Sequence, residues 1–202
     1  YRNVACATRG NMNVRDEQRE RVAEKLAAHL LAHGLSRSSL RQLAAAAGVS
    51  DRMLLYYFAD KSEVLSASLE RIATRVIDSL AQAFPEGQRL PVRELVLRAA
   101  TVTGQPEMRG FMRLWIEVIA AASRGEAPFV DISGQIVLGF QNWIESRLAL
   151  AEGKDRAGLA LAIIGLIDGL ALIDACIGEQ AAQDAMSALP KLLSPELNPA
   201  KP

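Results

Sequence analysis

The segment from Ser38 to Phe58 constrains the fold more than any other part of the chain. It reads as two short helices joined by a tight turn. Ser39 followed by Gln42 is a capping-box pattern, in which the side chains of the first and fourth residues satisfy orphan backbone N–H groups, so a helix is expected to start there. Gly48 supplies the left-handed turn that ends it, and Ser50 can cap the next helix. Leu40, Leu43, Ala44 and Ala47 form one apolar face, and Val49, Leu54 and Phe58 close over it. Asp51, Arg52, Met53, Tyr56 and Tyr57 are left for the outer face of the second helix. A helix-turn-helix presents its second helix to the DNA major groove in this way. Two amphipathic helices around a glycine also occur in ordinary bundles, so the surroundings must decide.

Those surroundings are specific. A preceding amphipathic helix ends in His33-Gly34-Leu35, and Ser38-Ser39-Leu40-Arg41-Gln42-Leu43-Ala44 and Ala47-Gly48-Val49-Ser50 follow. Leu54-Leu55-Tyr56-Tyr57-Phe58 then leads into Ala59-Asp60-Lys61-Ser62-Glu63-Val64-Leu65. In order and spacing, residues 15–69 resemble the tetracycline-repressor (TetR) family, over about a quarter of the chain. Leu55 departs from the pattern, because that position is often a phosphate-contacting Tyr. The resemblance implies a three-helix DNA-binding head over residues 14–62 and a larger helical body over 63–202, which binds an effector and dimerises. Residues 1–13 read as a disordered arm or a cloning remnant, with Met12 a possible native start.

Composition agrees with an all-α fold. Half of the 202 residues are apolar, enough for a substantial core, and Ala, Leu, Arg, Glu and Gln dominate. Net charge is zero, and residues 14–64 carry eight basic against seven acidic groups. Charge alone therefore gives little support to nucleic-acid binding. Placement matters more: Arg37, Arg41, Arg52 and Lys61 flank the proposed DNA face, while most of the acids lie on the first helix. Cys6 and Cys176 are too few for a disulfide framework, and no export signal stands out, which points to a cytoplasmic protein. Cys176 is expected to be a small buried hydrophobe.

Periodicity predicts about nine helices. The first spans 14–33, with Val22, Leu26, Leu30 and Leu31 inward. A long helix over 61–83 turns Val64, Leu65, Leu69, Ile72, Val76 and Leu80 inward, and Pro85-Glu86-Gly87 breaks the chain after it. Further helices are expected over 92–103, 107–123 and 128–151, the last ended by Gly153. Asp155 should cap a long apolar helix to Ile177, and a last helix over 179–193 precedes a Pro-rich tail. Residues 158–178 are long and apolar enough to span a bilayer. Asp168 and Asp174 interrupt them, each costing roughly 2.5–3.5 kcal/mol near a bilayer centre, so a buried helix of a soluble bundle is expected instead.

No catalytic constellation emerges, so no enzyme activity and no cofactor are expected. His29 and His33 have metal-ligand spacing but no third ligand on their face, and no metal site is expected. Asp168 and Asp174 are six residues apart, well separated around the helix, and should pair with groups across a helix interface. Met108, Phe111, Met112, Trp115, Phe140 and Trp143 form stripes that suit either a plain core or a cavity for an apolar or aromatic effector. Gly158, Ala162, Gly165 and Gly169 mark a smooth helix side that permits close helix approach. The resemblance implies that this side, with the last helix, forms a four-helix homodimer interface.

The reading is a ligand-responsive DNA-binding transcriptional regulator, a repressor that binds a palindromic operator as a dimer. Arg52 should read guanine, with Met53 and Tyr56 on base edges or thymine methyls. Matched to the family pattern, Ser39, Arg41, Tyr57 and Lys61 contact phosphates, which set register without reading sequence. Two alternatives remain: a helical carrier of an apolar small molecule with a vestigial head, and an enzyme built on a helical bundle.

Overall fold

Local signals in the sequence set the helix ends that position the head. In this computed structural model, residues 14–85, 87–150 and 155–194 are described. Cys6, Met12, Gly153 and the Pro-rich tail lie outside them. Among the described residues there are nine α-helices and one 3-10 turn, with no strand. The chain divides into two compact units, residues 1–71 and 72–202, the division falling inside the fourth helix.

The first unit holds α1 (Val14–His33), the 3-10 turn (Leu35–Arg37), α2 (Leu40–Ala47), α3 (Asp51–Tyr57) and the start of α4 (Lys61–Ala83). Ser39 begins α2 with the full capping box: Gln42 N–H donates to Ser39 Oγ, and Ser39 N–H donates to Gln42 Oε1 at 3.1 Å. Gly48 ends α2 at φ +73°, a left-handed backbone that side chains resist, and its N–H donates to the Ala45 carbonyl at 3.1 Å. Ser50 Oγ accepts from Met53 N–H at 3.2 Å and starts α3. Leu26, Leu30, Leu43, Leu54, Phe58 and Val64 are buried and hold these helices together.

The second unit holds the rest of α4 with α5 (Val92–Thr103), α6 (Pro106–Ser123), α7 (Phe129–Arg147), α8 (Arg156–Ile177) and α9 (Glu179–Leu192). Phe84, Leu95, Val96, Leu148, Ala160 and Ile163 are part of its core. Helix α7 stops four residues before the expected end. Leu148 adopts an extended backbone and is fully buried, Leu90 N–H donates to the Arg147 carbonyl at 2.7 Å, and Ala149 N–H donates to the Leu90 carbonyl at 2.8 Å. Burying Leu148 in this way is a tertiary reward that helix periodicity does not register.

Two expectations about α8 are overturned. The helix is long and apolar enough to cross a membrane, yet only 11% of its most apolar stretch is buried, through Ala160 and Ile163. Leu161 is 47%, Leu172 49% and Ile177 75% exposed. It is not a helix buried within its own chain. Cys176 is likewise exposed, because it lies on that outer side near the helix end.

Candidate nucleic-acid interface and ligand cavity

The seven residues of α3 separate an inner from an outer face. Leu54 is buried, whereas Asp51, Arg52, Met53, Leu55 and Tyr56 are exposed and Tyr57 is half-buried. Helical spacing puts Arg52 and Tyr56 one turn apart on the outer side. Ser39 and Arg41, at the start of α2, and Lys61, at the start of α4, are exposed as well. The Ser39 hydroxyl donates to Gln42 Oε1 at 2.6 Å, so in this conformation its proton is committed to the cap. Any phosphate near Ser39 meets the first backbone N–H groups of α2, which have no intrahelical acceptor.

The structure sorts the basic residues by role. Arg41, Arg52 and Lys61 make no ion pair with the described residues, whereas Arg15, Arg19 and Lys25 on α1 are occupied. Arg15 donates to the Tyr56 carbonyl at 3.0 Å and lies over the Tyr56 ring at 4.8 Å. Arg19 donates to the Tyr57 carbonyl at 3.3 Å, pairs with Glu63 at 2.9 Å and covers the Phe58 ring. Lys25 donates to the Ala47 carbonyl at 3.0 Å. Cations thus meet the negative C-terminal ends of α3 and α2, where helix dipoles favour them. Glu63 also accepts from Ala59 N–H, which, with Arg19, holds its carboxyl below the usual carboxylate range. The sequence contains the signal for these clamps, basic residues four apart on α1, but periodicity alone does not say which helix end they meet.

His29 and His33 use ring nitrogens locally. His29 Nε2 bonds to the Arg37 carbonyl at 2.9 Å, His33 Nδ1 to the His29 carbonyl at 3.1 Å, and their rings stack.

In the second unit, a cavity of about 70 Å³ opens among α4, α5, α6, α7 and α8. Phe111, Met112, Trp115, Phe140 and Trp143 line it, together with Ile163, Ile164 and Ile167. Met108 does not; it is packed in the core at 6% exposure. Asp168 lines the cavity as well, a placement that helical periodicity alone does not give. Trp115 Nε1–H donates to Asp168 Oδ1 at 3.2 Å across the α6–α8 interface. Burial pushes the Asp168 carboxyl above its ordinary range, against the lowering effect of that hydrogen bond. The Trp143 indole N–H is buried and has no hydrogen-bond partner among the described residues. Asp174 instead faces the Arg109 cation, which pairs with Glu179.

A raised carboxylate has a stability consequence. Ionisation of Asp168 is harder folded than unfolded, so its contribution is most favourable below the unfolded value. It is lost as pH rises through the folded value. Asp168→Asn keeps an acceptor for Trp115 and never ionises. At neutral pH it is expected to raise Tm by about 1–3 °C, a small effect because the half-buried group is partly screened. The gain should vanish near pH 3, and an equal gain at pH 3 and pH 7 in thermal melts would disprove the assignment.

The smooth side of α8 divides in two. Gly158 N–H donates to the Asp155 cap at 2.7 Å, and a Cβ there would crowd the Asp155 carboxylate in this rotamer, so the space beside Gly158 is taken by the cap. At Gly165 and Gly169 a Cβ would meet nothing within 4 Å, and Ala162 and Gly165 are exposed.

A family profile described as "Bacterial regulatory proteins, tetR family" matches residues 25–68, the stretch that carries α2, α3 and the start of α4. Over this stretch the chain is similar to the TetR family. The relatives it matches are transcriptional regulators. The HTH-type transcriptional regulator PksA of Bacillus subtilis (strain 168) is 26% identical over 161 residues, 78% of each chain. A TetR-family regulator from Rhodococcus sp. shares the fold at TM-score 0.71 and 21% identity, over 88% of this chain and 99% of its own. The regulator FadR from Bacillus subtilis, solved in complex with stearoyl-CoA, does so at TM-score 0.62 and 16% identity, over 84% and 96%.

Proposed function

We propose that this protein is a cytoplasmic, effector-responsive repressor of the TetR family that binds a palindromic operator as a homodimer. The observation that carries the reading is the outer face of α3. It offers Arg52, Met53 and Tyr56 to solvent, with Arg52 making no ion pair with the described residues, while Arg15 and Arg19 of α1 are occupied in holding the end of α3. In a dimer, two such helices enter successive major grooves about 34–36 Å apart, which requires a two-fold operator. Arg52 reads guanine O6 and N7, Met53 and Tyr56 meet base edges or methyls, and Ser39, Arg41, Tyr57 and Lys61 meet phosphates.

Dimerisation is assigned to α8 and α9. A helix this apolar with so little burial in its own protomer leaves Leu161, Leu172 and Ile177 facing water, the signature of an interaction surface. Gly165 and Gly169 leave room for a second helix. The aromatic cavity is assigned to an apolar or aromatic effector, in keeping with a fold whose members include FadR, solved with stearoyl-CoA. An effector that occupies the cavity bears on α4 through Val76 and Leu80, and α4 continues in sequence from the head.

The experiment is selection of genomic DNA fragments by the purified protein, followed by binding titrations at several salt concentrations. Palindromic fragments with two half-sites one turn apart are expected; selection of no sequence would favour a carrier with a vestigial head. On the selected operator, Lys61→Ala should weaken specific and random DNA alike and lower the salt slope by about one unit per half-site. A sequence-selective loss would instead make Lys61 a base contact.

A further inference from the structure

Asp168 is the one ionisable side chain on the wall of the cavity, amid isoleucines and aromatic rings. It forms no ion pair with any described residue, and Trp115 occupies only its Oδ1. Its place is also specific. Trp115, Val137 and Asp168 line both the cavity and an open groove between α6 and α7, whose walls include the exposed Ile119 and Leu138. The carboxylate therefore sits where the inner space and the outer groove share a wall.

We propose that this cavity takes an organic cation, its apolar or aromatic body among Phe111, Trp115, Phe140 and Trp143 and its positive centre against Asp168. This deepens, and rests on, the reading of the body as the effector-binding part. The argument is one of missing partners. A partly desolvated carboxylate is expensive to keep unless a positive group meets it, and the described residues supply none. Aromatic faces attract the same kind of ligand, because their quadrupoles are negative over the ring. A positive centre at the shared wall stays partly hydrated from the groove side, which limits its own desolvation. Burial disfavours the ionised carboxyl in the empty cavity, and an arriving cation opposes that effect. Room is the constraint: about 70 Å³ is less than the roughly 150 Å³ that holds benzene. Met112, an adaptable side chain on the wall, must yield, or the body must extend into the groove.

The probes are benzyltrimethylammonium and neopentylbenzene, which share a shape and differ in charge. Binding to the full chain is read by fluorescence, since Trp115 and Trp143 are the chain's two tryptophans and both line the cavity. The cation is expected to bind at least about tenfold more tightly than the neutral isostere, a difference of about 1.4 kcal/mol. Asp168→Asn should bring the two within about twofold, and Asp168→Glu should restore part of the preference. Equal binding of both probes to the wild type, an unchanged preference in Asp168→Asn, or no binding of the cation would each overturn the inference. Adding the selected operator separates this from the parent reading. Charge-selective binding through Asp168 that leaves DNA affinity unchanged supports the cation site and removes its regulatory role. Equal binding of both probes with DNA release does the reverse.

Discussion

Gly165→Leu is expected to turn the dimer into a folded monomer. Within the protomer the change is tolerated: a Cβ at Gly165 meets nothing within 4 Å, the residue is exposed, and Leu favours a helix more than Gly does. In the proposed dimer the same position faces the partner's α8, and overpacking a tight contact costs about 1–3 kcal/mol. A two-fold interface carries the change twice, because the same patch is used by both copies. The dissociation constant should therefore rise by about 30-fold to 10⁴-fold, from about 2–6 kcal/mol. Light scattering across a dilution series reads this directly, with circular dichroism to show that the helices persist. Operator affinity should fall in parallel, since a monomer engages one half-site. A dimer of unchanged strength would place the interface away from this side of α8.

The helix starts were legible because their signals are local. Ser39 with Gln42, Gly48, Ser50 and Asp155 each act within four residues, and each caps the helix expected of it. The misreadings share a different cause. Nothing near Leu148 in sequence announces that it leaves α7 to be buried beside Leu90, fifty-eight positions earlier. The apolar character of α8 was plain, but composition cannot say whether such a helix is covered by its own chain or by another. Cys176 is exposed for the same reason, because its burial depends on that of the helix.

The cavity shows the same division. Phe111, Met112, Trp115, Phe140 and Trp143 were legible as stripes with helical spacing, whereas Met108 continues the α6 stripe and falls in the core instead. Asp168 was visible as an acid in an apolar helix. Its meeting with Trp115, fifty-three residues away, depends on how α6 and α8 pack, and that gives the carboxylate its place.

Arg52→Ala is expected to weaken operator binding by about 1–3 kcal/mol per half-site, the worth of a bidentate contact to guanine. The dimer carries the change twice, so the loss on a full operator should reach about 2–6 kcal/mol. The residue sits at the start of α3, exposed and without an internal ion pair, so its removal leaves no buried group unsatisfied. Fold stability should stay within about 0.5 kcal/mol, as is usual for an exposed position. The diagnostic is selectivity. A base contact, once removed, relaxes preference at one base pair in each half-site and leaves random-DNA binding nearly unchanged, apart from the loss of one cation's general attraction. Titrations against operators varied one position at a time separate the two roles. If affinity drops equally on operator and random DNA, Arg52 contacts phosphate, and base reading passes to Met53 and Tyr56 on the same exposed side of α3.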